Sequence, residues 1–219
     1  MGIEAERERV AAACRRLAEQ GLVLGTAGNV SARAGDRLAI TPTGAALAQL
    51  TADQVTAVDL EGRVVAGELE PTSELDLHLA IYRSREDAGA VVHTHAPMAT
   101  ALSCVMRELP CVHYAMLSLG GAVRVAPYAT FGTPELAESV LRALDGRMAA
   151  LMANHGAVAY GRDLDSAVEA SLLLEWACAV YWRAAQLGAP RTLDDGELQS
   201  VMAAVLERGY GETKPAQKA

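Results

Sequence analysis

Apolar residues recur at helical spacing at the start of the chain, where Val10, Cys14 and Leu17 share one side of a segment that Gly21 ends. The pattern predicts a helix over residues 4–20. Residues 25–35 are rich in Gly, Ser, Thr and Asn and predict turns between short strands. Residues 37–41 read as a strand running into the turn Thr41-Pro42-Thr43-Gly44, and 55–59 with 63–66 read as a hairpin around Glu61-Gly62. A second helix is expected after Pro71 and as far as Arg85, with Ser73 and Asp76 approximating a capping box. Residues 90–95 and 123–126 predict short strands. Thr133 caps a helix opened by Pro134 and lasting to about Leu144. A strand over 148–154, a bend at Gly156 and a further strand through Tyr160 precede a long apolar helix over 164–187, capped by Asp163. Helices lie at both ends, strands dominate the middle, and the elements do not alternate as β-α-β units. A mixed or antiparallel sheet covered by helices follows.

Composition narrows the class. The chain has 219 residues, 51% hydrophobic and 21% charged, with no internal repeat and no low-complexity block. One globular domain over 1–219, with a frayed tail at 211–219, is the simplest organisation. The formal net charge of −8 opposes a general nucleic-acid binder. No apolar run approaches the ~20 residues of a membrane span, and the charged start Met1-Gly2-Ile3-Glu4 has no apolar core behind it. A cytoplasmic location is expected. Cys14, Cys104, Cys111 and Cys178 form no C-x-x-C pair and read as ordinary buried or half-buried thiols.

The chemistry concentrates in the histidines. In Val91-Val92-His93-Thr94-His95 the two imidazoles lie two residues apart on a predicted strand and so point to one face, where both can reach one ion. His155, beside a glycine at the end of another apolar strand, is placed to supply a third nitrogen. Neutral imidazoles suit zinc and other transition metals. Glu74 lies at the start of the second helix, where the helix dipole favours an ionised carboxylate. It stands as a fourth ligand, a general base, or simply a stabiliser of the helix start. His78, one turn on, reads as a core residue or one packed behind the ligands. Gly25-Thr26-Ala27-Gly28-Asn29-Val30-Ser31, Thr43-Gly44 and Thr72-Ser73 offer hydroxyls and free backbone N–H groups, which suit an anion or are ordinary turn chemistry.

Taken together and in order, these segments with Ile40-Thr41-Pro42-Thr43-Gly44, Pro71-Thr72-Ser73-Glu74 and Asn154-His155-Gly156 resemble the class II aldolase family, which also contains pentulose-phosphate epimerases and the adducin head domain. Val112-His113-Tyr114 and the run from Ala126 to Thr133 look most like its fuculose-phosphate aldolase branch. The resemblance covers nearly the whole chain and implies a three-layer α/β/α sandwich with a mixed, largely antiparallel central sheet. His93, His95 and His155 match the family's zinc ligands, and Glu74 matches its acid/base, which also ligates the metal when no substrate is bound. Thr26, Asn29, Thr43, Gly44, Thr72 and Ser73 match residues that hold the substrate phosphate. Tyr114 matches a tyrosine that reaches a neighbouring subunit's site, and Tyr210 loosely matches a mobile C-terminal tyrosine. The family forms cyclic tetramers with sites between subunits. Ala27 and Thr72 stand where relatives often carry serine, which leaves the phosphate preference open.

The implied reaction is zinc-dependent, reversible cleavage of a ketose 1-phosphate such as L-fuculose 1-phosphate to dihydroxyacetone phosphate and an aldehyde. Schiff-base chemistry needs a lysine in a desolvated pocket, whereas the lysines here are Lys214 and Lys218 in the tail. The rivals are a pentulose-phosphate 4-epimerase, a zinc-dependent dehydratase or decarboxylase, and a non-enzymatic adducin-like module. The epimerase branch usually has Asp at position 74, and a scaffold has no need of a metal site with an open position.

Overall fold

The computed structural model describes residues 2–208. Tyr210 and the tail at 211–219 lie outside the described residues. The helices are α1 (Ile3–Glu19), α2 (Leu75–Ser84), α3 (Pro97–Ser103), α4 (Pro134–Ala143), α5 (Leu164–Leu187) and α6 (Asp195–Arg208). The strands are β1 (Asn29–Ala34), β2 (Arg37–Ile40), β3 (Thr56–Asp59), β4 (Val64–Ala66), β5 (Ala90–Thr94), β6 (Glu108–Leu109), β7 (Val123–Ala126), β8 (Ala149–Met152) and β9 (Gly156–Gly161). They form one sheet in the order β4-β3-β2-β1-β5-β9-β8-β7-β6. Its pairings are antiparallel except the parallel β7–β8 pair.

The period-2 alternation of the strands builds two cores, one on each face. Val30, Ala32, Val92, Leu151 and Ala159 pack with α1 and α5 residues such as Val10, Leu17, Ala167 and Leu174. Leu38, Val91, Ala150 and Val158 pack on the opposite face with Ile81 of α2 and with Leu136 and Val140 of α4. The result is the expected α/β/α sandwich around a mixed, mostly antiparallel sheet.

Several local expectations change. Residues 29–34 form a central strand rather than turns, because β2 and β5 pair with both its edges. α3 begins at Ala96-Pro97, a helix-opening signal at the end of β5; the Glu175 carboxylate of α5 accepts from the backbone N–H groups of Met98 and Ala99 at 2.9 and 2.8 Å. α6 lies C-terminal to every element expected from the hydrophobic pattern and has no buried residue. The second helix starts at Leu75, so Ser73 and Asp76 form no capping box, and Thr72 Oγ1 accepts instead from the Glu74 N–H at 3.3 Å. Cys14, Cys111 and Cys178 are buried, but Cys104 is exposed.

Candidate metal centre

β5 carries His93 inside the sheet, and His95 follows just past the strand's end. His155 sits in the tight connection between β8 and β9, where Asn154 takes a left-handed φ of 55° to reverse the chain. Pairing of β5 with β9 sets His93 opposite Val158, which draws the connection over the two histidines. Gly156 is required there: a Cβ would run into the Thr94 carbonyl oxygen and would also meet His95 Cδ2 at 3.2 Å. The three imidazoles converge edge-on, with ring centroids 4.8, 4.9 and 5.1 Å apart.

Their nitrogens turn inward. His93 Nδ1–H donates to the Ala157 carbonyl at 2.9 Å, which leaves Nε2 as the bare nitrogen. That Nε2 lies 3.0 Å from His95 Nε2 and 3.1 Å from Glu74 Oε2, while His155 Nε2 lies 3.5 Å from Glu74 Oε1. Ligand atoms about 2.0–2.1 Å from a tetrahedral zinc stand roughly 3.3–3.4 Å from one another. These three contacts are close to the spacing of ligands around one small ion, and the ligand nitrogens of His93, His95 and His155 all lie within 4.8 Å of one another. Glu74 Oε1 is buried and has no hydrogen-bond partner, a state that a cation would relieve. The donor set fits a divalent transition metal.

The electrostatics agree. Burial lowers the His95 pKa to about 4, helped by the neighbouring His93 and His155 and opposed by Glu74. Burial also lowers that of His155, again helped by His93. Neutral rings at neutral pH are the form that binds metal. Burial works to raise the Glu74 pKa, but the close approach of the His93 imidazole, the Asn29 amide N–H and the nearby His155 outweigh it. The carboxyl is held well below the usual carboxylate range. Glu74 occupies the cap position of α2, and its side chain turns to Asn29 and His93 instead of capping the helix.

A cleft of about 230 Å³ opens above His95, His155 and Glu74. Thr26, Asn29, Thr43, Gly44, Thr72 and Ser73 all line it. The Pro42–Pro71 bridge holds two of these turns together, with Thr43 N–H bonded to Glu70 O and Thr72 N–H to Thr41 O, each at 3.0 Å. Gly28, at φ 95°, brings the first turn so near β5 that a Cβ would stand 2.8 Å from His93 O. Phe131 reaches the rim. Tyr114 is not in this cleft: it stacks on His113 at 4.4 Å and lines a separate apolar cavity of about 490 Å³ with Val201, Met202, Val205 and Leu206 of α6.

One set of residues escaped the sequence reading. Ser31 and Tyr82 join His78 and Asn29 in a buried chain of hydrogen bonds ending on Glu74. The available signal was the i, i+4, i+8 spacing of Glu74, His78 and Tyr82, which places them on one face of α2. Burial pushes the His78 pKa down to about 3, with a further contribution from His93 against Glu74.

Three imidazoles and a carboxylate beneath hydroxyl-lined turns form a site that could hold a divalent metal ion with room for a ligand above it. Residues 8–182 match the family described as Class II Aldolase and Adducin N-terminal domain, and the chain belongs to that family. A 5-methylthioribulose-1-phosphate/5-deoxyribulose-1-phosphate aldolase of Rhodospirillum rubrum is 43% identical over 191 residues, 87% of this chain and 86% of the relative. A 5-deoxy-D-ribulose 1-phosphate aldolase of Bacillus thuringiensis serovar kurstaki is 36% identical over 214 residues, 97% of this chain and 100% of the relative. A solved L-fuculose 1-phosphate aldolase superposes with a TM-score of 0.88 at 36% identity, covering 93% of this chain and 96% of its own. The chain is a class II aldolase, a lyase of a metal-dependent family. No helix among the described residues is long and apolar enough to cross a membrane.

Proposed function

We propose that the chain, acting as one domain, reversibly cleaves a ketose 1-phosphate to dihydroxyacetone phosphate and an aldehyde, with zinc held by His93, His95, His155 and, before substrate binds, Glu74. The observation that carries this reading is the convergence of the three imidazoles beneath the turn-lined cleft, with the Glu74 carboxylate against His93 and His155. Zinc would supply Lewis-acid stabilisation of the negative charge left on the ketone oxygen when the carbon–carbon bond breaks.

The chain's own residues do the rest. Thr26, Asn29, Thr43, Gly44, Thr72 and Ser73 hold the phosphate through hydroxyls and backbone N–H groups, beside the N-terminal end of α2. Binding energy at the phosphate then positions the reacting carbons. Glu74, kept ionised by its surroundings, takes the proton from dihydroxyacetone phosphate in the condensation direction and returns it in cleavage. Tyr114 serves the site of an adjacent subunit in a cyclic homotetramer and exchanges the proton of the aldehyde-side hydroxyl. Its position outside its own chain's cleft supports that role.

The substrate class is a 1-phosphorylated ketose whose far end is deoxygenated. The two relatives named for 5-methylthio- or 5-deoxyribulose 1-phosphate span 87% and 97% of this chain. Fuculose likewise ends in a methyl group, and Phe131 at the rim offers an apolar surface for such an end. The test is dihydroxyacetone phosphate release by the zinc-loaded protein from a panel of 5-methylthioribulose, 5-deoxyribulose, fuculose and ribulose 1-phosphates. Fastest turnover on a deoxygenated member is expected. Turnover limited to ribulose 1-phosphate, or epimerisation of ribulose 5-phosphate alone, would overturn the assignment.

A further inference from the structure

Two periodicities meet between α2 and β1. Glu74, His78 and Tyr82 recur every four residues, about 6 Å along a helix. Asn29, Ser31 and Arg33 recur every two, about 6.6–6.8 Å along a strand. The rows therefore pair rung by rung. Asn29 Nδ2–H donates to Glu74 Oε2 at 2.9 Å, and Asn29 Oδ1 lies 2.5 Å from His78 Nε2. His78 Nδ1 lies 2.7 Å from Ser31 Oγ, which lies 2.9 Å from Tyr82 Oη. Arg33 donates to the Tyr82 carbonyl at 3.0 Å, and its guanidinium stands 5.1 Å from the centre of the Tyr82 ring. His78 and Ser31 are wholly buried.

Each hydrogen in this seam is assigned by its neighbour. An ionised carboxylate only accepts, so the Asn29 NH2 faces Glu74 and its oxygen faces His78. His78 Nε2 must therefore carry the proton. A second ring proton would place an unpaired cation in the core, so Nδ1 is bare and accepts from the Ser31 hydroxyl, which in turn accepts from Tyr82. Every donor points toward Glu74. Without the His78 N–H, the Asn29 amide could turn over and present its oxygen to the carboxylate.

We propose that His78, as its Nε2–H tautomer, is a positioning residue that fixes the Asn29 amide and thereby the orientation of the Glu74 carboxylate. The inference rests on Glu74 being the base. Glutamine carries its terminal nitrogen near the place of imidazole Nε2, whereas asparagine reaches only as far as Nδ1. In the metal-loaded enzyme His78→Asn is expected to lower kcat by about tenfold or more, as loss of a partner behind a metal site does. KM and bound metal should change by less than about twofold, and His78→Gln should recover most of the loss. Nitrogen-15 correlation spectra of the metal-free native protein should show His78 as the single Nε2–H tautomer, and Ser31→Ala should admit the other. An Nδ1–H tautomer in the native protein, native kcat in His78→Asn, or equal losses in the Asn and Gln variants would overturn the proposal. Full turnover in Glu74→Gln would instead refute the base assignment, and the tautomer spectra would still decide whether His78 sets the amide.

Discussion

Glu74 Oε2 stands 3.1 Å from His93 Nε2, the one histidine of the cluster that lies wholly inside the sheet. The contact joins the start of α2 to the centre of the sheet, and the proposed function gives this one side chain two roles, metal ligand and base. Substitution separates the two roles. Glu74→Gln keeps the shape and the Asn29 contact but removes the basic oxygen. Turnover is expected to fall about 10²–10⁴-fold, the usual worth of general acid–base catalysis. Steady-state release of dihydroxyacetone phosphate checks it, with metal content measured in parallel.

Removing the metal should leave a folded but weaker protein, because the two apolar cores do not depend on the site. A ligand that binds only the folded state at about 1,000 times its Kd adds about 4 kcal/mol. Chelation is expected to abolish activity and lower Tm, and zinc should restore both. Calorimetry with and without chelator provides the measurement.

The histidine pKa values give the metal-free protein a pH dependence of definite sign. His95 is lowered from 6.5 to about 4, and His155 is also lowered. Between these values the unfolded chain binds more protons than the folded one, so stability falls as pH drops from about 6.5 toward 4. Glu74, also lowered, withdraws its own contribution as pH falls below its ordinary value of 4.5. A Tm series from pH 8 to pH 4 on the chelated protein should be flat above about 7 and decline below. His95→Gln should make the decline between 6.5 and 4 shallower.

Gly156 faces the Thr94 carbonyl and the edges of His93 and His95 with no room for a methyl group. Gly156→Ala is expected to destabilise by about 1–3 kcal/mol, the cost of overpacking. The displaced histidines should also weaken zinc affinity. Chemical denaturation and competitive zinc titration read the two effects.

Tyr114 and Glu74 lie in different cavities of one chain. If neighbouring subunits share each site, Tyr114→Phe and Glu74→Gln proteins, each impaired alone, should complement when refolded together. In an equal mixture about a quarter of the sites would hold both native residues. Activity in the mixed sample well above that of either parent is the expected result.

The chain announces much of this in its pattern. His93-Thr94-His95 on a strand, His155 before a glycine and Glu74 at a helix start are local signals, and the folded chain brings all four together. The hydroxyl turns were legible for the same reason, since turn composition is local. β1 was not. Its apolar residues Val30 and Ala32 do alternate with Asn29, Ser31 and Arg33, but the polar face is turned toward α2 rather than solvent, against the usual expectation. Only the pairing of two elements 45 residues apart reveals why those side chains are satisfied there. α6 gave a weak signal because it has no fully buried residue, and Tyr114's separation from the cleft is a property of the whole fold.

The central claim, an aldolase built on a metal held by His93, His95 and His155, is tested most directly by titrating zinc into the chelated protein. Dihydroxyacetone phosphate release from 5-deoxyribulose 1-phosphate would be measured against bound zinc per chain. Turnover should rise in proportion to occupancy, saturate at about one ion per chain, and be absent in His93→Ala at every zinc concentration. Full turnover before any zinc is bound, or native turnover in His93→Ala, would contradict it.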